Sequence, residues 1–349
     1  MILKQKGLSL VELMISITLG LILLTGVIKV FLSSKTVYST QNALSRVQET
    51  GRLAIDFMSR DIRMAGFMGC DSNILKGKSE NITNTLNTPL DFQYNFKESI
   101  RGYTAENVPA GLAPTPLPLT DIIVIRGGSG VGAKINANST ASAINIAVTS
   151  NEPGACGATN RISGFCVGDL VMAADCAKSS VFQITAITPG GLVSHGAGAS
   201  PGNATTNWSA DTTDVFTSGS ELIHALTTIY FIATGTSTRP SLWQKVNGAP
   251  PMELLEGVEN MSITYGVDTT NDLIPDFYAK AVNITSAAQW SKVVAVRIEL
   301  VAASIEDNVT AETQKYAFNI IENPQPIDPN DRRLRQVFTS TVGIRSRLE

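Results

Sequence analysis

Hydrophobic positions follow two regimes along the chain. From Leu8 to Leu32 the residues are apolar almost without interruption, a run of 25 in which Glu12 and Lys29 are the only charges. Roughly 20 such residues cross a bilayer core as helix, so the run is long enough to span a membrane. Beyond it, Leu44, Val47, Gly51, Ala54, Met58, Ile62 and Ala65 recur at spacings of three and four, with Gln48, Arg52, Arg60 and Arg63 on the opposite face. That is the signature of an amphipathic helix with one buried stripe. No proline falls between Leu8 and Ala65. The spacing therefore predicts one continuous helix, with a lipid half at 8–32 and an amphipathic half at 33–66, about 90 Å long at 1.5 Å per residue.

After Gly66 the period shortens. Short β-branched runs bounded by Gly, Pro, Asn or Ser predict strands at Asp121–Arg126, Ala143–Thr149, Val167–Ala173, Val181–Ile187 and Leu222–Ala233. Further strands are predicted at Met261–Val267, Phe277–Asn283, Val293–Ala303, Lys315–Ile321 and Leu334–Ile344. Strands and helices do not alternate, so the predicted class is α+β: a long N-terminal helix whose second half packs on a large antiparallel β-rich domain, residues 67–349. The Gly/Ser/Thr-rich stretch Pro189–Ser220 predicts a long surface loop and a soft boundary between two β-rich halves.

Composition narrows the function classes. With 43% apolar and 16% charged residues the chain can bury a core. A net charge of −3 argues against nucleic acid as a direct partner, because counterion release needs surplus Lys and Arg. Two histidines, His195 and His224, leave little for metal sites or general bases, and no Gly-x-Ser-x-Gly occurs. Gly127-Gly-Ser-Gly-Val-Gly132 lacks the Gly-Lys-Ser/Thr ending of a phosphate loop and predicts a flexible turn. No catalytic residue and no cofactor are expected.

The ends of the membrane segment set its orientation. Lys4 and Lys6 precede it, placing the N-terminus in the cytoplasm and the remainder outside it. No small-residue cleavage site follows the apolar run; the small residue, Gly7, comes before it. Glu12 is the anomaly, since a carboxylate in hydrocarbon costs several kcal/mol unless it is paired. Cutting after Gly7 would free the α-amine of Leu8, one helical turn from Glu12.

The four cysteines, Cys70, Cys156, Cys166 and Cys176, all lie in the exported part, where an even number predicts two disulfides. Three connectivities are open; the short loop favours Cys156–Cys166, leaving Cys70–Cys176 to tie the helix end to the sheet. Arg332, Arg333, Arg335, Arg345 and Arg347 crowd the last predicted strand. Guarding an edge strand against wrong pairing is the plain reading; a docking face for an acidic partner or DNA is the sharper one.

The string Lys6-Gly-Leu8-Ser-Leu-Val-Glu12-Leu-Met-Ile-Ser-Ile17 resembles the prepilin signature of type IV pilins and type II secretion pseudopilins. The resemblance implies removal of a leader, residues 1–7, by a prepilin peptidase, N-methylation of Leu8 (where Phe is usual) and an assembly role for Glu12. Asp61-Ile-Arg-Met-Ala-Gly-Phe-Met-Gly-Cys70, Leu254–Asp268 and Arg333-Leu-Arg-Gln-Val-Phe-Thr-Ser-Thr-Val342 resemble the PilW minor pilins. The middle string is also similar to the J-type pseudopilin.

Membership would imply a non-catalytic subunit, anchored by one pass in the inner membrane with a periplasmic domain, later in the cell-surface pilus. Implied partners are other minor pilins, the major pilin, the inner-membrane assembly platform and a tip adhesin. Priming of assembly and a place at or near the filament tip follow from the same resemblance. Two other readings stay open: a J-type pseudopilin serving secretion, and a tip adhesin using the loops Ser72–Pro118 and Pro189–Ser220. Asp268, Thr270, Asp272 and Asp276 resemble a calcium-type loop, with oxygen ligands at alternating spacing. Leu273 replaces the turn glycine and Ala279 stands where a bidentate Glu would close the site, so a polar hairpin loop is the plainer reading.

Overall fold

The computed structural model describes residues 9–69, 82–109, 111–175, 177–198, 201–208, 215–319 and 325–348. The predicted helix is one unbroken element, α1 (Leu10–Arg63), of 54 residues. Its buried positions are Ala43, Val47, Gly51, Ala54, Met58 and Ile62, so the predicted stripe is the face that packs. Leu44, a member of that stripe, is instead 38% exposed, and Ala43, one helical turn before Val47, takes its place. Gly51 is required: a Cβ there would lie 2.1 Å from the Phe338 ring.

The helix stops at a turn over Met64–Gly66, where Gly66 adopts φ +73°, a conformation that favours glycine. Gly66 N then donates to Arg126 O at 2.7 Å, handing the chain directly to the sheet.

The strands are β1 (Ile82–Asn84), β2 (Ile100–Thr104), β3 (Asp121–Lys134), β4 (Ala143–Asn145), β5 (Asn151–Cys156) and β6 (Thr159–Ile162). There follow β7 (Leu170–Ala174), β8 (Ser179–Gln183), β9 (Ala186–Ile187), β10 (Leu192–Ser194) and β11 (Glu221–Thr234). The last six are β12 (Pro240–Val246), β13 (Met252–Glu256), β14 (Val258–Val267), β15 (Phe277–Ala279), β16 (Val293–Ala303) and β17 (Arg335–Gly343). Two short helices, α2 (Ala287–Trp290) and α3 (Arg345–Leu348), flank the final strands. Pairing is antiparallel throughout except between β1 and β8, which run parallel.

A four-stranded sheet, β15-β14-β16-β17, carries α1. Ala54, Met58 and Ile62 of the helix share one core with Ile263, Val296, Ile298, Leu300 and Val342. An eight-stranded sheet runs β1-β8-β7-β11-β12-β13, with β3 and β2 on the other side of β11. A second core, containing Phe165, Phe182, Val193, Trp208 and Phe216, has no helix residue in it. The ribbon of β3 and β11, each 14 residues, joins the two: β11 pairs β7 at Glu221–His224 and β12 at Thr228–Thr234. A bulge between Ile223 and Ala225 bends the strand where its partner changes.

Several sequence expectations are corrected here. Pro189–Ser220 is not a surface loop, because it supplies β10 and the buried His195, Trp208 and Phe216. Gly127–Gly132 is not a turn but lies inside β3, paired with β11. Its glycines are there for space: a Cβ on Gly132 would lie 2.4 Å from Leu222 O, and one on Gly128 2.2 Å from Ile223 Cδ1. Lys315–Ile321 forms no strand among its described residues, only a single bridge from Tyr316 to Ile327. Phe277–Asn283 stops pairing at Ala279 and closes into a 3-10 turn.

A polar pin fixes the helix end to the central strand. Tyr230 Oη donates to Asp61 Oδ2 at 2.7 Å and accepts from Gln244 Nε2 at 2.8 Å. Burial raises the Asp61 carboxyl above its usual range, against the Tyr230 hydrogen bond and the nearby Arg60 charge. The folded state therefore favours the neutral acid. The stability this group contributes is complete below the ordinary carboxyl range near pH 4 and is lost as pH rises through the raised folded value. Asp61→Asn keeps an acceptor without the charge and is expected to flatten that decline in denaturant midpoints of the detergent-solubilised chain. Tyr230→Phe removes the donor and is expected to cost about 1–3 kcal/mol at neutral pH, less in acid. Identical pH profiles for all three proteins would remove the pin from the stability account.

Candidate functional site: the protruding helix

From Ser9 to Ser39 every residue of the helical segment is exposed, Leu10 at 74% and Phe31 at 68%. The domain first grips the helix at Thr40, whose hydroxyl donates to Val309 O at 2.6 Å, and at Arg46, paired with Glu306 at 2.7 Å. About 45 Å of helix thus stands clear of the domain. The hydroxyls in its apolar run bond back within the helix: Ser16 donates to Glu12 O at 2.7 Å, Thr18 to Met14 O at 3.0 Å and Thr25 to Leu21 O at 2.8 Å. That arrangement suits a medium without water. An apolar rod of this length has two stable surroundings, lipid or other apolar helices.

Glu12 is the sole ionisable side chain from Leu10 to Ile28 and projects from the exposed segment. Gly7 and Leu8, the expected cleavage and methylation positions, lie outside the described residues. Cys156 and Cys166 form a disulfide with Cα atoms 5.8 Å apart; Cys70 and Cys176 lie outside the described residues.

The acidic loop is drawn together only in part. Thr270 Oγ1 lies 3.3 Å from Asp268 Oδ1 and 3.4 Å from Asp276 Oδ1. The carboxylates also accept from their own loop: Asp268 from Asn271 N at 2.6 Å and Leu273 N at 2.8 Å, Asp276 from Thr269 N at 2.6 Å. Asp272 turns away to Ile274 N at 3.0 Å. These bonds give each carboxylate a local structural use, as Asx turns do.

Three of the five arginines, Arg333, Arg335 and Arg347, are buried and form neither an edge guard nor a docking face; Arg332 and Arg345 are exposed. Arg333 and Arg335 are each 5% exposed and share Glu259, Arg335 reaching it at 2.6 Å through Nε. Arg335 also grips Asp331 with two bonds of 2.5 and 2.7 Å, and this hydrogen bonding holds the Asp331 carboxyl down at about 2. Arg347 is buried too, its guanidinium on Trp290 O, Ser291 O, Val293 O and Ser99 Oγ. The alternation Arg333-Leu334-Arg335, leading into β17, brings both guanidinia to Glu259. Glu259 lies far away in sequence, so only the fold could reveal the pairing.

Neither histidine sits in a catalytic array. His195 Nε2 lies 2.7 Å from Thr85 Oγ1 in a wall of Phe182 and Trp208. His224 stacks on Phe165 at 4.5 Å. Sequence reading also missed Arg126, buried among the carbonyls of Glu98 and Phe92, because its partners are backbone atoms with no pattern of their own.

Comparison with known proteins agrees with this geometry. Residues 2–28 match the prokaryotic N-terminal methylation motif, and residues 229–346 match the family described as Type IV Pilus-assembly protein W. Searches of curated proteins and of solved structures gave no match. The second match contains β12 to β17 whole, and with them β13, β16 and β17, which pack on α1; the second core, between Ala133 and Leu222, lies outside both. An inner-membrane anchor with a periplasmic domain fits the methylation motif and the apolar helix together. With that motif opening the helix and the pilus-assembly match packed on its other half, the chain is similar over these two stretches to type IV pilus-assembly proteins of the W family.

Proposed function

We propose that the chain is a minor pilin, a non-catalytic subunit that primes filament assembly in the inner membrane and sits at or near the filament tip. The observation that carries this reading is the bare helix from Ser9 to Ser39 with its single carboxylate, Glu12, attached to a bulky domain. Starting a filament means collecting several membrane helices without an existing end. A dedicated set of subunits lowers that nucleation cost, and a bulky domain packs more readily at an end than in a repeating shaft. The partners on this reading are other minor pilins, the major pilin, the assembly platform and the prepilin peptidase. A tip adhesin would be contacted through the part of the domain outside the family match. Gly7 and Leu8 are the processing positions and Glu12 the assembly residue. Cys70–Cys176 is the second disulfide.

Deleting the gene is expected to lower the number of pili per cell at least tenfold, while the remaining filaments keep their normal width. Quantitative mass spectrometry of sheared filaments should find the chain at no more than about one copy per hundred major subunits. Parity with the shaft subunit would defeat the minor role. Loss of enzyme secretion with surface pili intact would assign the chain to a secretion pseudopilus instead.

A further inference from the structure

The sheet edges of this protein are protected in different ways. β13 carries Glu253 and Glu256, β2 carries Arg101, and the β5–β6 hairpin carries Glu152 and Arg161. The outer strands β1, β4, β9 and β15 have only two or three residues. Charge and shortness both keep an edge from pairing with another chain. β17 has neither protection: it is nine residues long, and Gln336 to Gly343 holds no charge and no proline.

Its register shows which groups face outward. Ile344 N donates to Val294 O at 2.9 Å and Ser304 N donates to Leu334 O at 2.8 Å, so the even-numbered residues bond inward to β16. The odd-numbered residues point out. At Arg335 that outward pair is filled by the Gln314 side chain, which accepts from Arg335 N at 2.8 Å and donates to Arg335 O at 2.9 Å, as a neighbouring strand would. The outward N–H and C=O groups of Val337, Thr339 and Thr341 meet no protein partner among the described residues.

The open edge is continuous with the protruding helix. Gln48, Arg52 and Ile55 of α1 line a groove with Gln336, Phe338 and Ser340 of β17. Arg46 and Arg60 are paired with Glu306 and Asp56, whereas Arg52 has no ion pair among the described residues. A subunit whose helix lies against the bare part of α1 is led along the same helix to this edge.

We propose that β17 is the site where a second pilin-type subunit adds an extended strand, with an acidic side chain of that strand meeting Arg52. The inference rests on the assembly reading above. Main-chain bonds to Val337, Thr339 and Thr341 supply the attachment, and the Arg52 pair fixes its register. Thr339 and Thr341 have exposed side chains, so changes there reach the incoming strand before they reach the core.

The test uses the full chain in the producing cell, with a photoreactive residue at position 339 or 341. The expected adduct joins this chain to a different chain that itself begins with a prepilin methylation motif. An adduct of two copies of this chain, or no adduct, overturns the proposal. Thr339→Pro is expected to lower pilus number at least tenfold, and the pair Thr339→Lys and Thr341→Lys repeats the test without touching any backbone N–H. Arg52→Glu should act in the same direction and be restored by a Lys in place of the acidic residue identified in the adduct. If Glu12→Leu abolishes piliation while every edge variant is normal, the edge proposal fails and the assembly reading stands. If Glu12→Leu is normal as well, the assembly reading has failed.

Discussion

A chain carrying Glu12→Leu is expected to be processed and held in the inner membrane like the native protein, yet to be nearly absent from filaments. From Leu10 to Ile28 the helix offers lipid or neighbouring helices an apolar surface broken by one carboxylate. In hydrocarbon that carboxylate costs roughly 2.5–3.5 kcal/mol at mid-depth, so removing it does not weaken the anchor. What is lost is a counter-ion. On the proposed reading, a freed α-amine at Leu8, in this chain or its neighbour, is held by Glu12 in a medium of low dielectric. Breaking such a pair by removing one partner costs about 3–5 kcal/mol, which corresponds to a fall of roughly two to four orders of magnitude in incorporation. Immunoblots of sheared filaments against membrane fractions measure this directly, and Glu12→Gln, which keeps shape and hydrogen bonding without charge, should be intermediate or worse. Equal amounts of the native and leucine chains in filaments would show that the carboxylate is only a headgroup-depth residue on an ordinary anchor.

Arg347→Leu is expected to destabilise the folded domain by about 3 kcal/mol, although it replaces a polar side chain by an apolar one in a buried site. The Arg347 guanidinium collects the carbonyls at the end of α2 and the start of β16, Trp290 O at 3.0 Å and Val293 O at 2.9 Å, and reaches Ser99 Oγ at 2.7 Å. Helix-end carbonyls have no partner within the helix, so deleting the arginine leaves several buried acceptors unpaired. No carboxylate offsets the charge in these contacts, and desolvation lowers the guanidinium to about 10. The site is thus built for donor count and shape. Arg347→Lys keeps a cation but cannot span the carbonyls and Ser99 together, and should lose about half as much. The next residue back, Ser346, donates to Ala65 O at 2.7 Å, so the same short helix also clasps the end of α1. Denaturant midpoints of the three proteins measure the effect; a leucine variant as stable as the native chain would show that the carbonyls find water.

Much of the fold was legible because local patterns carry it. The three-and-four spacing from Val47 to Ile62 named the packed face of α1, and Val293–Ala303 was read to the residue as β16. The short strands β1 and β10 have three residues each and carry no pattern long enough to read. β12 and β13 were missed for a different reason. Pro240, Lys245 and two glutamates dilute their apolar content, and the half-buried pattern shows that they form a sheet flank and not a core.

The glycine run inside β3 was misread because a glycine needed for close approach looks like one needed for a turn. Only the nearness of Leu222 O and Ile223 tells them apart. The arginines near the last strand were misread for a similar reason. Their number is local information, but Glu259, Asp331 and the Trp290 carbonyl become their neighbours only in the folded sheet.

The sequence by itself determined that one end of this chain belongs in lipid, since 25 successive residues with two charges have no stable home in water. It also determined that Glu12 is out of place there and that Gly7 precedes the anchor. Those are properties of single residues and their neighbours along the chain. The tertiary structure alone decided that Arg333, Arg335 and Arg347 are consumed inside the domain, and that β17 is left with an uncharged edge next to α1. Burial and pairing are relations between segments far apart in sequence, and such relations exist only once the chain has closed on itself.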